Sequence, residues 1–327
     1  MNDMKLLVTK DLRMWFSISG GLFKKRRWLR AVDGVNLELK EGETLTLAGE
    51  SGCGKTTLGK TILRLYKPTS GKIIYKGRDI TNLNNKQLKW YRREAQVIHQ
   101  DPFSSLNPFF TIFRILEEPL IIHNFKDKDE RREIIFRALE EVKLTPVEEF
   151  VSKYPHMLSG GQRQRVVIAR ALILRPKFIV ADEPISMLDA SIRVEILYLL
   201  KELQKKYGIT FLYITHDIAT AKYFSEKIAI MYAGKIVERG RIDKIISEPL
   251  HPYTEALLAA IPDPDPSNRF KLREVPSGEP PNLVNPPPGC RFWPRCPKFI
   301  KGLCDTKEPK LVSIDKENRE VACHLYS

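Results

Sequence analysis

The run Gly49-Glu50-Ser51-Gly52-Cys53-Gly54-Lys55-Thr56-Thr57 places four residues between two glycines and follows the second with Lys-Thr. That is a phosphate-binding pattern, and it works only between a strand and a helix. Both flanks fit: Thr44-Leu45-Thr46-Leu47-Ala48 ahead of it is apolar and β-rich, and Leu58-Gly59-Lys60-Thr61-Ile62-Leu63 behind it has helical spacing. Glycines let the main chain close around phosphate oxygens because no Cβ blocks the approach. Successive N–H groups and the helix N-terminus add partial positive charge. The pattern predicts a nucleoside triphosphate cradled by Gly49, Ser51, Gly52, Cys53, Gly54 and Thr57. Lys55 is expected on its β- and γ-phosphates and the Thr56 hydroxyl on Mg²⁺. Cys53 fills a small-residue position in this reading.

With 327 residues, 43% of them hydrophobic, the chain can build one large domain with an extension or two modest domains. No apolar run approaches the roughly 20 residues needed to cross a bilayer. The start, Met1-Asn2-Asp3-Met4-Lys5, lacks the apolar centre of a signal peptide, so a cytoplasmic protein is expected, reaching any membrane through partners. The formal net charge of +14 suits nucleic acid, an anionic surface or an acidic partner. Its one dense run, Lys24-Lys25-Arg26-Arg27, reads as a solvated loop. The five cysteines are not expected in disulfides in that compartment.

Further along, Leu6-Leu7-Val8 and the alternating Val35-Asn36-Leu37-Glu38-Leu39 read as strands. Trp15 and Phe16 could stack on a purine or belong to the core. Gly71-Lys72-Ile73-Ile74-Tyr75 with Lys76-Gly77 suggests a hairpin, and Ala95-Gln96-Val97-Ile98-His99 a strand that Asp101-Pro102 ends, exposing Gln100. Residues 111–144 are predicted mostly helical, with Ile134, Ile135, Ala138, Leu139 and Val142 on one face. Ser159, Gly160 and Gly161 open an amphipathic helix after Leu158, with Gln162 in its first turn, which makes a second anion-binding helix end. The economical role for it is a nucleotide held by a partner subunit. Phe178-Ile179-Val180-Ala181 is an apolar run that delivers Asp182 and Glu183 to a sheet edge. There Asp182 suits Mg²⁺ held through water, and Glu183 suits a general base on the attacking water. Ile209–Thr215 is another buried strand, and His216 at its end could donate to the γ-phosphate. Ser186-Met187-Leu188-Asp189 turns into a helix carrying Ile192, Ile196, Leu199, Leu200 and Leu203.

Taken in order, the phosphate loop, the Gln100 loop, Leu158-Ser159-Gly160-Gly161-Gln162, Asp182-Glu183, the Ser186–Asp189 turn and His216 strongly resemble the nucleotide-binding subunit of an ATP-binding cassette (ABC) transporter. Asp101-Pro102-Phe103-Ser104-Ser105-Leu106-Asn107-Pro108, His251-Pro252-Tyr253-Thr254 and the cysteine-rich tail look like the oligopeptide/dipeptide importers within that family. The resemblance implies an α/β P-loop NTPase core with an antiparallel β subdomain and an inserted helical subdomain near 103–172. It implies a nucleotide-binding domain over 1–248 and an irregular, metal-binding extension over 249–327. It further implies a head-to-tail ATPase dimer, usually of two different subunits, enclosing two ATP molecules, with Asp189 acting across the interface. Gln100 would sense Mg²⁺ and the γ-phosphate, and catalysis would rest on Glu183, His216 and Gln100. Phe16 is the candidate for adenine stacking. Two integral membrane permease subunits and an external solute-binding protein complete the assembly on the cytoplasmic face of the membrane. Peptide is the implied substrate, with nickel and oligosaccharide as alternatives. Ile185 and Met187 depart from the family's common Thr and Ala without removing a catalytic group.

Pro262, Pro264, Pro266, Pro276, Pro280, Pro281 and Pro286–Pro288 mark an extended segment ahead of Cys290, Cys296, Cys304 and Cys323. These cysteines lack the paired spacing of common zinc sites. Four thiolates on an irregular loop can hold a [4Fe–4S] cluster, as the family resemblance also implies, and zinc is the alternative. Arg291, Arg295 and Lys298 are expected to offset the charge of such a cluster, and His324 is a possible substitute ligand. A nucleic-acid-acting ABC protein is the other functional class, but such relatives carry long coiled-coil or zinc insertions or a second cassette. Here only a small helical segment separates Gln100 from Ser159, so no nucleic-acid partner is expected.

Overall fold

The computed structural model describes residues 5–18, 26–260, 278–315 and 319–326; Lys24, Lys25, Pro262, Pro264, Pro266 and Pro276 lie outside them. Two long strands, β1 (Lys5–Ile18) and β2 (Arg27–Lys40), come first. They lead into β3 (Thr44–Ala48), helix α1 (Lys55–Ile62), β4 (Ser70–Tyr75) and the short β5 (Arg78–Asp79). Helix α2 (Lys89–Glu94) and β6 (Ala95–Ile98) precede five helices: α3 (Pro102–Ser105), α4 (Ile112–Ile122), α5 (Lys128–Glu141), α6 (Glu148–Val151) and α7 (Gly160–Leu172). Then come β7 (Phe178–Asp182), α8 (Ala190–Tyr207), β8 (Thr210–Thr215) and α9 (Ile218–Phe224). The chain continues through β9 (Lys227–Tyr232), β10 (Lys235–Arg241), α10 (Ile242–Ser247) and α11 (Pro252–Ala259) to β11 (Val312–Ser313) and β12 (Glu320–Val321).

These elements gather into two compact units, one built from 1–40, 44–82 and 214–327, the other from 41–43 and 83–213. The first holds an antiparallel sheet in the order β2-β1-β4-β5. Alternation along β2 does what the sequence predicts: Val35, Leu37 and Leu39 are buried while Asn36 and Glu38 face out. Lys76 and Gly77, both at positive φ, make the tight turn between β4 and β5. This unit also carries the strand order β11-β12-β10-β9-β3, in which β3 and β9 run parallel and the other pairs antiparallel.

In the second unit β8, β7 and β6 lie side by side, β6 parallel to β7. Every residue of β7 and β8 is buried, as apolar runs without alternation require. The residues from Pro102 to Leu172 form helices and turns with no strand among them. Helices α4, α5 and α7 pack on one another, and Leu116, Leu120, Ile135, Leu139 and Val167 on them are buried, while Ile134 is half-buried.

Polar ties hold the C-terminal residues to the first unit. Glu238 on β10 is 0% exposed, yet its carboxylate accepts from Leu250 N and His251 N, both at 3.0 Å, and from Arg319 Nη2 at 3.3 Å. Buried charge is tolerable only when so matched. Replacing Glu238 by Leu would leave buried Arg319 with only the exposed Glu248 carboxylate at 3.9 Å, with an expected loss of about 3 kcal/mol, measurable by urea unfolding. His251 caps α11 by accepting from Tyr253 N through Nδ1 at 3.0 Å, and burial pushes its ring down to about 3. The folded chain therefore keeps His251 neutral while the unfolded chain protonates below about pH 6.5, so stability present above that pH is lost as the pH falls. The expected slope is roughly 1 kcal/mol per pH unit. His251→Asn, which keeps a capping acceptor, should lose less stability between about pH 7.5 and 5.5 than the unaltered chain.

Candidate nucleotide site

In the first unit, β3 runs into the phosphate loop and Lys55 opens α1 behind Gly54. A Cβ on Gly49 would fall 2.2 Å from the Met231 carbonyl oxygen, and one on Gly54 would fall 2.0 Å from that of Ala31. These glycines are thus required by the protein's own backbone as well as by phosphate access. Lys55 is 5% exposed, and its ammonium donates to the carbonyls of Gly49 at 2.7 Å and Glu50 at 2.9 Å. Cys53 is buried beside it; burial pushes its thiol up while Lys55 pulls the other way. Ser51 and Gly52 are exposed, and Thr56 and Thr57 half-buried. His216 is exposed where β8 ends, next to Asp217, which caps α9 by accepting from Ala219 N and Thr220 N. Phe16 is half-buried and meets Tyr66 edge-on at 5.5 Å, while Trp15 donates to Asp33 and lies under the Arg30 guanidinium.

In the second unit, β7 brings Asp182, buried, and Glu183 to its end. Glu183 is left-handed, with φ 46°, a conformation that costs a non-glycine residue about 1–3 kcal/mol. Gln100 Nε2 donates to Glu183 Oε2 at 3.1 Å, so two residues 83 positions apart meet where the sequence places both catalytic roles. Asp101 ends the strand reading and also caps α3, accepting from Phe103 N at 2.8 Å. Ser159 Oγ accepts from Gln162 N at 3.3 Å and Gln162 Oε1 from Ser159 N at 3.0 Å, a reciprocal capping box at the start of α7. Gly160 and Gly161 follow in the first turn, and a Cβ on Gly161 would crowd Ile192 of α8 at 2.9 Å. Asp189 is exposed at the N-cap position of α8.

Sequence reasoning missed the arginines that brace these loops. Arg193 donates to the carbonyls of Leu188 at 2.7 Å and Ser186 at 3.3 Å, stapling the turn before Asp189. Arg163 donates to Pro155 O at 2.6 Å and stacks over Phe103 at 4.0 Å. Their partners are backbone carbonyls, which leave no signal in composition. The tie that joins Glu50 to Tyr253 and Arg295 was missed as well. The Glu50 N–H donates to the Tyr253 hydroxyl at 2.8 Å, and Arg295 grips the Glu50 carboxylate.

The four tail cysteines are free thiols, Cys304 and Cys323 buried and Cys290 and Cys296 half-buried. Cys290 N donates to Cys304 O at 2.8 Å. Burial pushes the Cys290 thiol up to about 11, and the charges of Cys323, Cys296 and Cys304 push in the same direction, so the four share one neighbourhood. Among the described residues, no three His, Cys, Asp or Glu side chains converge closely enough to hold a metal ion. The three tail cations each have a carboxylate partner as well. Arg291 pairs with Asp33, Arg295 with Glu50 and Lys298 with Glu255, because each has a carboxylate within reach. Of the three, Lys298 also lowers the Cys296 and Cys323 thiols against the larger effect of burial. His324 Nε2 contacts the Lys307 carbonyl at 2.8 Å, so that ring nitrogen is engaged. Arg26 and Arg27 of the basic run are exposed.

Comparison with known proteins supplies the family. The ABC transporter family profile matches residues 32–186, and that of the oligopeptide/dipeptide transporter C-terminal region matches 237–304. The chain is 46% identical to the putative oligopeptide transport ATP-binding protein YkfD of Bacillus subtilis (strain 168), over 100% of this chain and 97% of the relative. It is 41% identical to the dipeptide transport ATP-binding protein DppF of Escherichia coli (strain K12), over 97% and 93%. The dimeric, ADP- and Pi-bound ATP-binding cassette MJ0796 matches it with a TM-score of 0.64 and 32% identity, over 72% of this chain and 98% of that one. With its phosphate loop, capped Ser159 helix and Gln100–Glu183 contact on such a scaffold, the chain belongs to the ABC transporter ATP-binding proteins of the oligopeptide/dipeptide transporter family.

Proposed function

We propose that the chain binds MgATP on Gly49–Thr57, hydrolyses it with Glu183 as general base, and thereby energises import of di- or oligopeptides through a membrane permease. The observation that carries this reading is the Gln100–Glu183 hydrogen bond at 3.1 Å, which aims a strained carboxylate from the end of β7. Lys55 exchanges its loop carbonyls for the β- and γ-phosphates, Thr56, Gln100 and Asp182 serve Mg²⁺, and His216 donates to the γ-phosphate. Phe16 is the proposed adenine platform. Ser159–Gln162 and Asp189 act on the nucleotide of the opposing subunit of a dimer; that the MJ0796 cassette is dimeric supports the dimer. That opposing subunit is proposed to be a related but different chain. No described helix is long and apolar enough to cross a membrane, and the permease supplies the crossing at whose cytoplasmic face this subunit works. The nucleotide-binding domain is taken as 1–248, with its helical subdomain near 103–172, and 249–327 as the extension.

Glu183→Gln should lower the rate of phosphate release by about 10²–10⁴-fold while MgATP binding persists and ATP-bound dimers accumulate on size-exclusion chromatography. Brisk hydrolysis by that variant would remove Glu183 from the base role.

For the tail we propose a [4Fe–4S] cluster on Cys290, Cys296, Cys304 and Cys323. Supporting it are four thiols whose charges act on one another and a loop segment that brings Cys290 to the Cys304 carbonyl. Protein purified without oxygen should carry about four irons and four sulfides per chain and absorb in the visible. About one zinc per chain would replace the cluster by a structural zinc, and neither metal would dismiss the site.

A further inference from the structure

Glu50 is an acid inside a loop built to receive phosphate, and three contacts fix it. Its N–H donates to the Tyr253 hydroxyl at 2.8 Å and its carbonyl accepts from Lys55 Nζ at 2.9 Å. Its carboxylate takes two near-parallel hydrogen bonds from Arg295, Nη1 to Oε2 at 3.0 Å and Nη2 to Oε1 at 3.2 Å. This fork-to-fork pairing is the geometry in which arginine holds a carboxylate with the greatest directional precision.

Arg295 is itself well seated. Its side chain is 7% exposed against 31% for that of Glu50, and Nη1 also donates to the Tyr232 hydroxyl at 3.3 Å. The guanidinium lies 6.0 Å from the Tyr232 ring and 5.9 Å from that of Phe292. Tyr232, Tyr253 and Phe292 pack against one another with centroids between 4.4 and 5.5 Å apart. A single turn of 3-10 helix, Trp293–Arg295, carries the arginine between Cys290 and Cys296. The fork thus joins the cysteine-bearing tail to the second residue of the phosphate loop.

We propose that Arg295 is a positioning residue for the nucleotide site: it neutralises and orients Glu50, so that the Cys290–Cys296 segment sets the affinity of the phosphate loop for MgATP. The inference rests on the reading of Gly49–Thr57 as an ATP site. An uncompensated carboxylate here repels a polyanionic triphosphate and competes with it for Lys55, whose ammonium already bonds the Glu50 main chain. Paired to Arg295, the acid contributes no net charge, and its side chain fixes the carbonyl that Lys55 holds. Movement of Cys290 or Cys296 carries the guanidinium with it, which makes the tail an input to the site rather than an appendage.

The test compares KM and kcat for MgATP hydrolysis, together with binding of a fluorescent ATP analogue, across a cycle of variants. Arg295→Met should raise KM and the analogue's dissociation constant about tenfold, with kcat changed less than about twofold. Adding Glu50→Gln to Arg295→Met removes the unpaired acid and should return both constants to within about threefold of the unaltered protein. An arginine that merely tethers the tail gives no such rescue. KM within about twofold of the original in Arg295→Met, or no recovery in the double variant, would overturn the proposal. If Arg295→Met does not fold, Arg295→Lys, which keeps the charge but loses the fork, should raise KM about threefold, and an unchanged KM would overturn the proposal. Failure of the unaltered protein to bind MgATP would instead strike the ATP reading itself.

Discussion

Ala31 and Met231 turn their carbonyl oxygens onto Gly54 and Gly49, so the phosphate loop rests on main chain with no side chain between. Gly234 N closes the contact by donating to Cys53 O at 2.8 Å, and Asp33 N donates in turn to Gly234 O at 2.9 Å. A Cβ at either glycine would force apart segments that come from β2, from the end of β9 and from the loop after β3. The glycines that admit phosphate are therefore the same ones that let three distant stretches meet. The tail builds on that junction: Arg291 donates to Ala233 O and pairs with Asp33, and Phe292 packs edge-on against Tyr232 at 5.2 Å.

The charge balance looks different once the pairs are placed. A formal +14 suggests an anionic partner on composition alone. Yet Arg291, Arg295 and Arg319 are spent inside the first unit on Asp33, Glu50 and Glu238, and Arg131 and Arg193 brace loops of the second through main-chain carbonyls. Such arginines act as ties. Buried pairs add little net stability over apolar packing, but each specifies one partner and is costly to break on one side. That suits a segment such as 278–315, which has few regular elements and must be located by side chains.

Much of this arrangement is legible in the sequence because it is local. The strand–turn–helix around Gly49–Thr57, the alternation of β2, the buried β7 and β8 and the Ser159–Gln162 cap each depend on residues within a few positions of one another. The Gln100–Glu183 contact was legible at one remove, since both residues end strands and parallel neighbours deliver their ends to the same edge. The tail was legible only as composition. Four cysteines and a run of prolines announce a site, but Arg295 reaches Glu50 across 245 positions and Arg291 reaches Asp33 across 258, and no periodicity encodes a pairing at that range. Expecting those cations beside the thiols was reasonable on proximity in sequence. Each of those guanidiniums is also held by a carboxylate far off in sequence, Arg291 by Asp33 and Arg295 by Glu50.

Glu183 shows where local rules fail. It precedes Pro184, a position that steric conflict pushes toward extended backbone, yet it sits at φ 46°. No propensity scale would place a glutamate there. Its surroundings over-determine the conformation: Ser186 donates to the Glu183 carbonyl through its N–H at 3.2 Å and its hydroxyl at 3.1 Å, and Gln100 holds the carboxylate. Strain of this kind persists only when neighbouring contacts offset it, and what it produces is a carboxylate with a fixed direction. The general-base role proposed for it depends on that aim, since a misaimed carboxylate of the same basicity abstracts nothing. Glu50 is the matching case in the first unit: an acid where phosphate should make acid unfavourable, tolerated because a buried arginine meets it. At both positions the residue that breaks the local rule is the one whose partner carries the functional argument.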